Sequence, residues 1–277
     1  MLLGYNTNGL AHHDPFQAIE LLAEIGYRSV AITLDHGPLD PFADGFSTQL
    51  QKTRRLLDRL AMRSVIETGA RFLLDPKFKH EPTLVSADAD ARARRVDFLR
   101  RAIDAACELA SDCVSLWSGI VHDASDDATV WDRLLGGLTQ ALDYAQSQKV
   151  VVGFEPEPGM FIDTMARYDE LARRLSPTTL RLTLDIGHLH CQGELPIVTY
   201  LARYADQLVN VHIEDMRRGV HEHLMFGDGE IDFPPVMRYL GACRYTGPVH
   251  VELSRHSHDG AAAARRAFDF LGPQVAS

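Results

Sequence analysis

Val150-Val-Val-Gly-Phe-Glu155, Leu180-Arg-Leu-Thr-Leu-Asp185, Leu208-Val-Asn-Val-His212 and Val249-His-Val-Glu252 end in a carboxylate, a carboxylate, an imidazole and a carboxylate. Each run alternates with period two. Val150, Val152 and Phe154 share a face; so do Leu182, Leu184 and Ile186, then Val209, Val211 and Ile213, then Val249, Val251 and Leu253. The opposite positions are small or polar: Gly153-Glu155, Thr183-Asp185, Asn210-His212 and His250-Glu252. Successive strand side chains point to opposite faces, so each run reads as a strand with one face against an apolar layer. The four polar tips then converge elsewhere. Three carboxylates and an imidazole gathered inside a protein repel one another and stay poorly solvated unless a cation joins them. Glu155, Asp185, His212 and Glu252 therefore predict a divalent metal site.

Outward from these runs, strand and helix patterns alternate along the whole chain. Strands are predicted at Leu2–Tyr5, Ser29–Leu34, Ser64–Glu67, Cys113–Trp117, Val150–Glu155, Leu180–Asp185, Leu208–Ile213 and Val249–Leu253. Helical periodicity follows each, over Pro15–Ile25, Ser47–Met62, Asp88–Ala110, Asp126–Ser147, Met165–Leu175, Leu195–Ala205, Phe233–Leu240 and Gly260–Leu271. Asp14 and Pro15 make a helix start, and Gly26 and Gly241 fall where helices should stop. The cluster Arg92, Arg94, Arg95, Arg100 and Arg101 reads as the solvated side of the third helix. Eight strand–helix units in 277 residues predict an α/β fold, a single (β/α)8 TIM barrel occupying residues 1–277 as one domain. Catalytic groups of such barrels sit at the C-terminal ends of the strands. All four tips lie at that end.

Composition sets further bounds. Hydrophobic content of 45% and 24% charged residues describe a globular protein with a large core. A net charge of −10 argues against nucleic acid as a partner, because phosphate binding relies on Lys and Arg. No run has the length of a membrane span, and no signal peptide is evident at the N-terminus. Cys107, Cys113, Cys191 and Cys243 form no CxxC pair; Cys107 and Cys113 fall in apolar patterns and are expected to be buried free thiols. A cytoplasmic protein is the expectation, with a homo-oligomer one option for its assembly.

Glu155, Asp185-Ile-Gly-His188, His212 and Glu252, with Gly227-Asp-Gly-Glu-Ile-Asp-Phe233 and the opening Tyr5-Asn-Thr-Asn-Gly9, resemble the metal-site pattern of the xylose isomerase-like TIM barrels. That superfamily includes ketose 3-epimerases, inosose-processing enzymes, hydroxypyruvate isomerases and the endonuclease IV branch. The resemblance implies Glu155, Asp185, His212 and Glu252 as ligands of one divalent ion. Mixed carboxylate and imidazole donors suit Mn²⁺ or Zn²⁺ best, with Co²⁺, Mg²⁺ or Fe²⁺ as alternatives. It also implies Glu155 and Glu252 as the catalytic pair that removes and returns a proton beside a carbonyl, through an enediolate-like intermediate. His188 and one of Arg217 or Arg218 would hold substrate hydroxyls.

The segment His221-Glu-His223 before Gly227-Asp-Gly229 has the spacing of the endonuclease IV branch. There, His188, His221 and His223 would hold a second metal, so one ion or two both fit. The histidines of that branch after the third and fourth strands are replaced by Glu67-Thr-Gly and Trp117-Ser-Gly, with Glu67 a substitute ligand or substrate contact. Trp117 and Phe161 are candidates for an apolar floor under a sugar ring, and Arg255 for a phosphate contact after the eighth strand. The leading expectation is a metal-dependent isomerase or epimerase of a small sugar, cyclitol or sugar phosphate. The rivals are a multinuclear phosphoester hydrolase, a lyase using the same residues, and a non-catalytic barrel that senses a metabolite.

Overall fold

Parallel strands hydrogen-bond side by side around a closed barrel in a computed structural model that describes residues 1–175, 180–243 and 245–275. They are β1 (Leu2–Asn6), β2 (Ser29–Thr33), β3 (Arg63–Glu67), β4 (Val114–Leu116), β5 (Val152–Phe154), β6 (Leu180–Asp185), β7 (Leu208–Ile213) and, after a hairpin, β10 (Pro248–Val251). The hairpin is β8 (Asp215–Arg217) and β9 (Val220–Leu224). Around the circle the order is β1-β10-β7-β6-β5-β4-β3-β2, so the last strand closes the ring by pairing with the first, Leu3 opposite Val249 and Tyr5 opposite Val251. The predicted (β/α)8 TIM barrel is the fold.

The helices are α1 (Pro15–Ile25), α2 (Phe46–Leu60), α3 (Ala89–Leu109), α4 (Asp127–Gln148), α5 (Met165–Arg174), α6 (Ile186–Gln192), α7 (Ile197–Tyr204), α8 (Phe233–Ala242) and α9 (Gly260–Val275). Carboxylates start four of them: Asp14, Asp88, Asp126 and Asp185 each accept a backbone N–H from the first turn, as the unpaired donors there require. Gly26 ends α1 at φ 126°. Gly241 does not stop α8, which runs on through it to Ala242.

The outward faces of the strands carry the apolar alternation, with Val152, Phe154, Leu182, Leu184, Val211, Ile213, Val249 and Val251 all buried against the helices. The inward positions are small or polar. Near the base, Ala31, Val65 and Cys113 pack together with Val209. Val209 therefore departs from the predicted face. Leu182 pairs with Leu208 but the next residue, Thr183, pairs with Asn210, so Val209 is the extra residue of a bulge and turns inward. Cys107, expected to be buried, is exposed. Arg95, expected to be solvated, is 1% exposed inside α3, because the buried stripe of that helix also takes in Phe98, Leu99 and Ala102.

Gly4 marks how tightly the interior is filled. A Cβ there would lie 2.3 Å from the His250 ring and 3.1 Å from Ser29 Cβ. The ring cannot retreat, since Nε2 meets Ser29 Oγ at 2.9 Å and Nδ1 meets Asn210 Oδ1 at 2.8 Å. Gly4→Ala is expected to cost about 1–3 kcal/mol by overpacking, read as a lowered denaturation midpoint; an unchanged midpoint would contradict the rigid interior.

Candidate active site

The ends of β5, β6, β7 and β10 bring Glu155, Asp185, His212 and Glu252 together. One donor atom from each lies within 4.8 Å of the others. His212 is the centre: its Nδ1 stands 2.9 Å from Glu155 Oε1 and 2.8 Å from Glu252 Oε2. Its other nitrogen, Nε2, meets Glu67 Oε1 at 3.0 Å. Glu67 thus approaches the far side of the ring rather than joining the four donors. A carboxylate there fixes the tautomer and orientation of a ligating imidazole. Behind it runs a polar ladder up the barrel interior, Ser29 to His250 to Asn210, with Asn210 Nδ2 3.0 Å from His212 Nε2.

The electrostatics follow from burial and crowding. Burial pushes the Glu155 carboxyl up to about 8, against the charge of His212. Burial acts in the same sense on Glu252, but the charge and hydrogen bond of His212 outweigh it and hold that carboxylate well below its ordinary range. Burial favours the neutral form of His212, yet Glu155, Glu67 and Glu252 raise it well above an ordinary histidine. Asn8 Nδ2 donates to Glu252 Oε1 at 2.7 Å, and Asn6 at the end of β1 holds the Asn8 backbone at 3.0 Å.

The donor set fits a divalent cation. Among the described residues no lysine or arginine pairs with Glu155, Asp185 or Glu252, so histidines are their only cationic partners. Asp185 accepts the His188 backbone N–H through Oδ1 at 2.9 Å, while its Oδ2 is buried with no hydrogen-bond donor. Three buried carboxylates that face only imidazoles are costly unless a cation lies among them.

His188, His221 and His223 form a second group, each offering a ring nitrogen within 4.8 Å of the others. His188 enters on α6, which the sequence reading missed because it begins directly after Asp185; His221 and His223 come in on β9. His188 Nε2 and His221 Nε2 are 3.1 Å apart, and burial pushes His221 down to about 3. Glu157 Oε1 lies 3.5 Å from His221 Nε2.

Two further acidic residues were not anticipated. Asp215, 2% exposed, accepts four backbone N–H groups: Met216 at 2.9 Å, Gly227 at 2.8 Å, Gly229 at 3.0 Å and Ile231 at 3.1 Å. It ties the Gly227-Asp-Gly229 turn to the root of the hairpin. A Cβ on Gly229 would fall 2.2 Å from its carboxylate, which explains the second glycine of that motif. Glu214 is fully buried, and burial followed by the charge of Asp185 raises its carboxyl well above the ordinary range.

The cavity over the site measures about 440 Å³ and is lined by Glu67, Glu155, His212, His221, His223 and Glu252, with Trp117 and Arg255 also on its wall. Arg255 is paired with Glu222 at 2.7 Å. Trp117 is held from behind by the Arg95 guanidinium, 4.5 Å from the ring centroid. Arg217 and Arg218 do not line the cavity: Arg217 is exposed and donates to Asp228 O at 2.8 Å, and Arg218 lies beside Gly193. The irregular pairing of β8 with β9 turns Asp215 inward and both arginines outward. Phe161 packs edge-on against Trp131 instead of flooring the cavity.

The family model described as xylose isomerase-like TIM barrel matches residues 19–274. The L-ribulose-5-phosphate 3-epimerase UlaE of Escherichia coli (strain SMS-3-5 / SECEC) is 24% identical over 263 residues, covering 94% of this chain and 89% of that protein. Among solved structures, the 3-keto-D-glucoside 4-epimerase of E. coli superposes with a TM-score of 0.79 at 16% identity over 99% of each chain. The D-psicose 3-epimerase of Clostridium cellulolyticum H10, with D-tagatose, superposes at 0.78 with 17% identity, again over 99% of each. Among the described residues no helix is long and apolar enough to cross a membrane. Since the family model spans nearly the whole barrel, the chain belongs to the xylose isomerase-like TIM barrel family.

Proposed function

We propose that this chain is a divalent-metal-dependent isomerase or epimerase of a small polyhydroxylated carbonyl compound. The observation that carries the reading is the meeting of Glu155 and Glu252, from strands three places apart on the ring, at one imidazole nitrogen. Relatives and structural neighbours whose names are sugar epimerases support it. Glu155, Asp185, His212 and Glu252 would hold the cation, with Mn²⁺ or Zn²⁺ best matched to the donor set. When bound, it supplies a Lewis acid that polarises the substrate carbonyl and offsets developing negative charge. Glu252, oriented by Asn8, takes the proton from the carbon beside the carbonyl. Glu155, 2.9 Å from the same His212 nitrogen, returns a proton to that carbon. Glu155 and Glu252, at 2.9 Å and 2.8 Å from His212 Nδ1, are the two carboxyls placed to share the proton transfers. Trp117 and Ile120 exclude water on one wall, and Glu157 faces substrate hydroxyls. Solvent deuterium incorporation into a panel of ketoses and inososes, with metal content per chain, tests the reading; absence of exchange with every substrate would overturn it.

One observation favours a second reading. The convergence of His188, His221 and His223 offers three imidazoles to a further cation, as phosphoester hydrolysis by more than one metal requires. On that reading, His221→Ala with His223→Ala lowers metal content by about one ion per chain, measured by elemental analysis. Unchanged stoichiometry leaves the one-ion centre alone.

A further inference from the structure

Beside the catalytic cavity lies a second cavity of about 830 Å³, and Lys79, His80, Trp117, Ile120 and Met160 line both. It opens between residues 68–88, which join β3 to α3, and the stretch after β4, and it contains none of the four clustered donors. Phe72, Phe78 and Ile120 stand on its rim at 45%, 63% and 45% exposure. Large apolar side chains grouped at one mouth are a mark of a binding surface. Lys77, Glu81, Ser86, His122 and Asp123 intervene between them. Aromatic faces beside charged and hydroxyl groups are what a sugar ring needs, since its C–H faces stack and its hydroxyls take the polar edges.

The wall is built, not loose. Arg92 Nη1 donates to Ser86 O at 2.7 Å and Ala87 O at 2.8 Å, and Arg133 Nη1 to Val85 O at 3.4 Å. Arg94 donates to Leu74 O. Asp75 Oδ1 accepts from the backbones of Lys77 at 2.7 Å and Phe78 at 3.1 Å, closing the turn that presents the Phe78 ring. The 440 Å³ over the carboxylates suffices for one small sugar, and the adjoining space is larger than that sugar can use.

Resting on the isomerase or epimerase reading, we infer that the adjoining cavity is a second-ring subsite. The substrate is a ketose bearing a glycosyl group on a hydroxyl far from the reacting carbon. The reacting end lies against Glu155 and Glu252, and the second ring stacks on Phe78 and Phe72. Full-length protein loaded with Mn²⁺ is to be given D-fructose and isomaltulose, which is fructose with a glucosyl group on O6. Turnover is followed as deuterium entering C3, and binding by calorimetry, in the wild type, Phe78→Ala and Phe72→Ala. The expected result is a kcat/KM for isomaltulose about tenfold above that for fructose, carried by KM, with the ratio falling towards one in Phe78→Ala. Equal values for the two sugars, or a ratio that survives both substitutions, overturns the subsite. If neither sugar turns over, the isomerase reading of these substrates fails, and calorimetry still decides the subsite. Tighter binding of isomaltulose that disappears in Phe78→Ala upholds it; equal binding or none overturns it. A doubled mass in light scattering, lost in Phe78→Ala, would mean that a second copy covers this face and would also overturn it.

Discussion

Glu252→Gln is expected to lower kcat by about 10²–10⁴-fold while leaving the fold and much of the metal binding in place. The amide oxygen of Gln still accepts the Asn8 Nδ2 hydrogen bond, now 2.7 Å long, so the side chain keeps its anchor. The barrel ladder behind His212 does not involve residue 252 and holds the imidazole regardless. What disappears is the ability to accept a proton from carbon. Metal content near the wild-type value, an unchanged denaturation midpoint and loss of deuterium exchange together would isolate that loss. Activity within a few-fold of the wild type would end the assignment of Glu252 as the base, whatever else the site binds.

Asp215→Ala should bring the largest loss of stability, about 3–5 kcal/mol. Its carboxylate serves four N–H donors from a turn 12 to 16 residues away and from its own neighbour. Removal leaves the Met216 and Ile231 donors buried without acceptors, which costs more than the hydrogen bonds themselves contribute, and frees the Gly227 and Gly229 donors of the turn. Asn is a poor rescue, because its NH₂ would face two of the donors. Denaturant titration reads the stability, and metal analysis of the same samples shows whether the hairpin bearing His221 and His223 still forms. A change below about 1 kcal/mol would show that water replaces the carboxylate.

The barrel strands were legible because the interior and exterior of a closed sheet impose opposite demands on alternate residues. The same rule located the four tips without any knowledge of loops. It failed where a residue's partners are not periodic. Val209 followed the alternation on paper but belongs to a bulge, which sequence period cannot register. Arg95 sat among four other arginines and reads as solvated, yet it fills a buried slot against Trp117. Asp215 bonds only to backbone groups, and backbone N–H groups leave no trace in residue identity. Arg217 and Arg218, offered as substrate contacts by the family resemblance alone, are exposed and do not line the cavity.

The ring closes only when β10 slips between β1 and β7. A nascent chain that has reached Ile213 therefore carries two open sheet edges, and the last carboxylate of the cluster, Glu252, has not yet been synthesised. Unpaired edges are templates for pairing with other chains, and contacts spanning almost the full length of a chain form slowly. Truncated products ending before residue 248 lack the strand that covers both edges and should accumulate as aggregates.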